Sequence, residues 1–109
     1  MSSLNSKVNC VAFDCGNSSF RTVIGQYDGT RTTTEVISQI SHNTIEINGL
    51  YYWDILHVFD GLKQGLKEAV NRVGKIDSIG ICTWGVDFGF LDGNGYLLAN
   101  PLCYRNSIG

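Results

Sequence analysis

Asp14-Cys15-Gly16-Asn17-Ser18-Ser19-Phe20-Arg21 gathers a carboxylate, a glycine, an amide, two neighbouring hydroxyls and a guanidinium into one short run of the 109-residue chain. Such a set can cradle phosphate. Backbone N–H groups of a tight turn point at phosphate oxygens, and the two hydroxyls add donors. Arg21 can neutralise charge, and Asp14 can hold Mg²⁺ directly or through waters. The run is not a P-loop, because the G-x-x-x-x-G-K-[ST] pattern and its lysine are missing. The same residues between two strands can also be no more than a turn. Asn17-Ser18-Ser19 matches the N-glycosylation pattern, an accidental match in a chain read as not exported.

A second run, Thr83-Trp84-Gly85-Val86-Asp87-Phe88, has the chemistry of one wall of a sugar pocket. An indole offers an apolar face to C–H groups, and a carboxylate accepts hydroxyl hydrogen bonds. The plain alternative is a core tryptophan at a corner with a surface aspartate. No such ambiguity attaches to zinc. Cys10, Cys15, Cys82 and Cys103 form no C-x-x-C pair and stand apart from His42 and His57, so a four-ligand site has no support. The cysteines are expected reduced and mostly buried.

Among the elements around these runs, Val8 to Phe13 reads as a buried strand ending at Asp14. Phe20 to Tyr27 reads as a second strand, Asp28-Gly29 as a hairpin signal, and Thr32 to Ile37 as a third strand with one wet face. From about Tyr51 to Val73 the period changes. Ile55, Phe59, Leu62, Leu66, Ala69 and Val73 make an apolar stripe, Glu68 and Arg72 are an i,i+4 pair, and Gly74 is a natural C-cap. Gly61 and Gly65 inside this helix are read as tolerated. Ser78 to Cys82 follows as a short buried strand, expected parallel to the first. Residues 86–91 and 96–99 are expected to form a last hairpin around Asp92-Gly93-Asn94-Gly95. The order is α/β with a mixed sheet: a β-meander, a helix, then further strands.

Composition bounds the function. Hydrophobic residues make up 43% and charged residues 17%, which excludes a disordered tail. A net charge of −2 lacks the basic footprint of a general nucleic-acid binder. The apolar runs fall far short of the ~20 residues that span a bilayer. With no apolar stretch near Met1 resembling a secretory signal, a soluble cytoplasmic protein without a membrane partner is expected.

The two chemical runs, in this order and with a helix between them, resemble the motifs of the FGGY family of carbohydrate kinases. The likeness extends through Leu91-Asp92 and Asn100-Pro101-Leu102-Cys103-Tyr104-Arg105-Asn106. It implies the actin-like, ribonuclease H-like ATPase fold, of which residues 1–109 would form the N-terminal part of the first domain. It also implies phosphoryl transfer from ATP with Mg²⁺ to a small sugar, L-rhamnulose. By position, Asn17, Ser18, Ser19, Phe20 and Arg21 would line ATP, with Asp14 near the metal. Gly85, Trp84 and Asp87 would face the sugar. Such kinases are several times longer, so the catalytic base and the adenosine site are expected outside this chain, leaving it inactive alone and prone to self-association. Cys82 stands where these kinases often carry Asp, which leaves another sugar open. A non-catalytic sugar- or nucleotide-binding module is the further alternative.

Overall fold

A computed structural model of the chain describes residues 7–85 and 87–103. Strands β1 (Val8–Cys15), β2 (Ser19–Tyr27) and β3 (Thr32–Ser41) form the antiparallel meander expected from their β-branched and aromatic content. Between β2 and β3, Asp28 Oδ1 accepts from the amides of Thr30 and Arg31, and Gly29 takes a positive φ of 101°. A short hairpin, β4 (Ile45–Ile47) and β5 (Leu50–Tyr52), leads into helix α1 (Ile55–Val73). Strand β6 (Ser78–Cys82) then runs parallel to β1, giving a mixed sheet in the order β3-β2-β1-β6.

The β4–β5 hairpin corrects the reading of a helix from about Tyr51. Asn48 (φ 53°) and Gly49 (φ 82°) supply the two positive φ angles that a two-residue hairpin turn demands. The helix begins only after Asp54, whose carboxylate accepts from His57 N. Gly74 ends it as expected, its amide on Val70 O.

Ile55, Leu62, Leu66, Ala69 and Val73 of the expected α1 stripe lie in or against the core, and the buried face departs from the stripe at Phe59. Phe59 is 59% exposed, whereas Val58, Gly61, Gly65 and Ala69 are buried. The reason is close approach. A Cβ on Gly61 would lie 2.4 Å from the Phe20 ring, and one on Gly65 would lie 2.0 Å from Thr22 Oγ1. The two glycines therefore let the helix backbone settle directly on β2, rather than being merely tolerated. Val11, Phe13, Ile24 and Ala69 form one core cluster there, and Cys15, Phe20 and Val58 form another. β1 alternates inward and outward instead of being buried throughout, and every residue of β6 is exposed. Cys82 is exposed with it, against the expectation of buried thiols; all four cysteines are free.

The start of β6 is fixed by a polar knot. Asn9 N donates to Asp77 Oδ2 at 2.8 Å, Asp77 N donates to Asn9 O at 2.7 Å, and Asn9 Nδ2 donates to Lys75 O. The Asn9 amide, helped by Lys75, holds the Asp77 carboxyl below the usual carboxylate range. The chain beyond β6 reverses at Asp92, whose Oδ1 accepts from Asn94 N and Tyr96 N. The flanks meet in a single bridge, Leu91 to Leu97, rather than as a strand pair, tied beyond the turn by the Asp92 N–Tyr96 O and Leu98 N–Phe90 O hydrogen bonds. Val86, and the Tyr104 to Asn106 part of the family likeness, lie outside the described residues.

Two expectations follow from this packing. Gly65→Ala should lower stability by about 1–3 kcal/mol in urea unfolding, because overpacking against Thr22 outweighs alanine's helix preference. Asp77 has a depressed folded pKa, so its contribution is complete above the unfolded value of about 3.9 and is lost as pH falls through the folded value. Asp77→Asn should flatten the acid side of the stability–pH curve relative to the parent chain.

Candidate active site

The β1–β2 turn is built from residues with little to bury. Gly16, Asn17 and Ser18 are exposed, and Gly16 N closes the turn on Ser19 O at 2.9 Å. Ser19 Oγ accepts from Gln39 Nε2 on β3. Phe20 follows on the opposite side of the strand. The residue as a whole is 1% exposed and packs in the core beneath the turn, so Phe20 supports the turn and offers a ligand no surface of its own.

Asp14 and Arg21 are cross-strand partners in the β1–β2 register, and Arg21 Nη2 donates to Asp14 Oδ2 at 2.5 Å. Both are half-exposed and lie on the face away from α1. Asp14 also sits beside Cys82 in the β1–β6 register. The Cys15 thiol is held up by burial, with smaller contributions from Asp14 and Cys82, so it stays protonated and serves as core. Among the described residues no three His, Cys, Asp or Glu side chains form a metal cluster.

The second run meets the first at this turn. Trp84 Nε1 donates to Gly16 O at 3.0 Å, across 68 positions of sequence. Trp84 stacks on Trp53, with ring centroids 3.9 Å apart and planes 13° from parallel. Trp53 is fully buried, and its Nε1 donates to Asp87 Oδ2 at 2.6 Å. The two indoles, Asp87, Phe88, Leu97 and Pro101 border a cleft of about 320 Å³. Its walls are mostly apolar, with Thr83 and the Asp87 carboxylate as the polar groups, a composition common to small-molecule sites. Gly85 is exposed at the bend just before it.

Every described residue assigned from sequence thus falls at one end of the sheet: Asn17, Ser18, Ser19 and Arg21 around the turn, with Asp14 beside them, and Trp84, Gly85 and Asp87 around the cleft. Trp53 and His42 were missed. Trp53 lies directly after the β4–β5 hairpin and immediately before the helix cap, a position whose significance depends on that hairpin. His42, at the end of β3, carries no motif.

This arrangement belongs to the actin-like ATPase fold of the sugar kinases. Gluconate kinase from Lactobacillus acidophilus superposes with a TM-score of 0.69 over 93% of this chain and 20% of its own, at 18% identity. Xylulose kinase from Lactobacillus acidophilus, solved with ligand bound, gives 0.68 over 90% of this chain and 20% of its own, also at 18% identity. In sequence the chain is similar to rhamnulokinase of Bacteroides thetaiotaomicron, 40% identical over 100 residues that make up 92% of this chain. The chain spans about a fifth of that relative's length (21%). No protein-family model matches. The comparisons bear out the resemblance to the FGGY carbohydrate kinases over nearly the whole chain. Among the described residues no helix is long and apolar enough to cross a membrane.

Asp87 supports Trp53 as well as facing the cleft. Asp87→Ala should cost about 1.5–3 kcal/mol, the range for a hydrogen bond to a charged group. Asp87→Asn retains an acceptor and should cost less. Chemical denaturation followed by tryptophan fluorescence measures both.

Proposed function

We propose that this chain is the N-terminal portion of the first domain of a cytoplasmic sugar kinase that transfers the γ-phosphate of ATP to L-rhamnulose. The observation that supports it most is the Trp84–Gly16 hydrogen bond, which sets the cleft against the turn as a kinase must set its acceptor against its donor. The likeness to rhamnulokinase favours L-rhamnulose as the sugar.

The turn is assigned to the ATP phosphates. Asn17, Ser18 and Ser19 offer amide and side-chain donors, Phe20 packs beneath them, and Arg21 offers a positive charge held in place by Asp14. A sugar lies against the Trp84 face by its C–H groups, with Gly85 at its edge and a hydroxyl donating to Asp87. Asp14 fits Mg²⁺ in one mode only: a single carboxylate reaching, through water, an ion that keeps most of its waters and is held mainly by phosphate. Bound there, the ion would neutralise charge on the phosphoryl oxygens. Proton removal from the sugar hydroxyl is assigned to a carboxylate outside these 109 residues, as is adenosine binding, so the chain alone is inactive. Cys82, exposed beside Asp14 where related kinases often carry Asp, favours keeping a different sugar as the second reading.

Self-association of the isolated chain belongs to the same proposal. Ile79 and Ile81 on edge strand β6 are 51% and 61% exposed, and Phe88 and Phe90 more so, a surface that invites apolar contact.

A coupled assay of ADP release decides the substrate, using the longest reading frame that begins with this sequence and offering L-rhamnulose, L-fuculose, D-xylulose and glycerol. Turnover confined to L-rhamnulose is the expected result. Turnover on another of the four overturns the sugar and keeps the chemistry; none on any of them overturns the kinase reading.

A further inference from the structure

His42 touches the candidate phosphate turn at two points, and neither motif contains it. Its backbone N–H donates to Ser18 O at 3.0 Å, and its ring Nε2 lies 2.9 Å from Gly16 O. A carbonyl oxygen can only accept, so Nε2 carries the proton. In the neutral ring Nδ1 is then a lone pair, and it is buried without a hydrogen-bond partner among the described residues. The ring is 3% exposed and packed among Phe20, Trp53 and Trp84, with centroids 5.7, 5.7 and 6.0 Å away. Nothing about that environment requires a histidine except the bond to Gly16.

We infer that His42 is a positioning residue that clamps the carbonyls of Gly16 and Ser18 and thereby aims the turn's amides at an anion. The peptide bonds are trans. In a trans peptide the C=O of one residue and the N–H of the next point to opposite sides of the plane. Holding Gly16 O and Ser18 O toward His42 therefore sends the N–H groups of Asn17 and Ser19 away from it. A turn in which either carbonyl rotated outward would present a negative dipole to phosphate instead. Trp84 Nε1 shares Gly16 O with His42, so the same oxygen is fixed from both sides. The inference rests on reading the turn as a phosphate site, and its test separates the two.

The test compares His42→Phe, which keeps an aromatic ring and removes the donor, with His42→Gln, which restores a side-chain N–H, in the full-length protein. Hydrogen–deuterium exchange of a peptide covering residues 15–20 reads the clamp without any ligand. Calorimetric titration with inorganic tripolyphosphate reads the anion site. In His42→Phe the Gly16 amide should exchange about tenfold faster and tripolyphosphate should bind about tenfold more weakly, the size that one buried hydrogen bond carries. His42→Gln should recover most of both. Unchanged exchange in His42→Phe, or equal damage in the two variants, overturns the clamp. If His42→Phe does not fold, His42→Leu against His42→Gln makes the same comparison. Faster exchange rescued by Gln, in a protein that takes no tripolyphosphate, upholds the clamp and overturns the phosphate reading.

Discussion

One carbonyl oxygen, that of Gly16, receives the hydrogen bonds on which the arrangement of the site depends. Trp84 reaches it from beyond β6 and His42 from the end of β3, so elements far apart in sequence converge on a single acceptor. Trp84 can arrive there only if β6 lies in the correct register against β1. That register is set at the far end of the strand, where Asn9 and Asp77 exchange backbone and side-chain hydrogen bonds. A slip of one residue would turn β6 over. A polar contact at the base of the sheet thus governs the geometry of the turn at its top.

The second constraint is the thinness of α1 where it crosses β2. Gly61 and Gly65 bring the helix backbone against Phe20 and Thr22, and this depth lets the Phe20 ring fill the space under the turn. Phe20 in turn stands beside His42 and His57. A residue that belongs to the phosphate motif by sequence therefore works as packing, while the support for that motif comes from a histidine outside it.

How much of this the sequence made legible follows from how local each signal is. The meander, the parallel return of β6, the Gly74 cap and the Glu68–Arg72 pair rest on short-range patterns, and they stand as read. The β4–β5 hairpin had an equally local signal in Asn48-Gly49, but the aromatic residues after it blend into the helix period. The stripe of α1 stands except at Phe59, but the part played by Gly61 and Gly65 was missed because glycine counts as neither apolar nor polar in a periodicity. Trp53 and His42 were beyond reach for a different reason. A stacked indole and a clamping imidazole take their roles from partners 31 and 26 positions away, Trp84 and Gly16. Spacing within a motif contains no trace of such partners.

Phosphoryl transfer depends chiefly on positioning and on charge stabilisation, so the value of a turn lies in its being ordered before the phosphate arrives. Fixing a backbone residue costs roughly 1–2 kcal/mol. Here that cost falls on folding, because the turn is held from within by the Gly16–Ser19 bond and from outside by His42 and Trp84, with no ligand needed. The external donors also divide the labour unequally. His42 is walled in by aromatic rings and answers only to the fold. Trp84 is partly exposed and lines the cleft as well, so a molecule pressed against its indole acts on the same side chain that holds Gly16. Contact in the cleft and alignment of the turn are therefore mechanically joined through one residue. The stack on fully buried Trp53 limits how far that residue can yield.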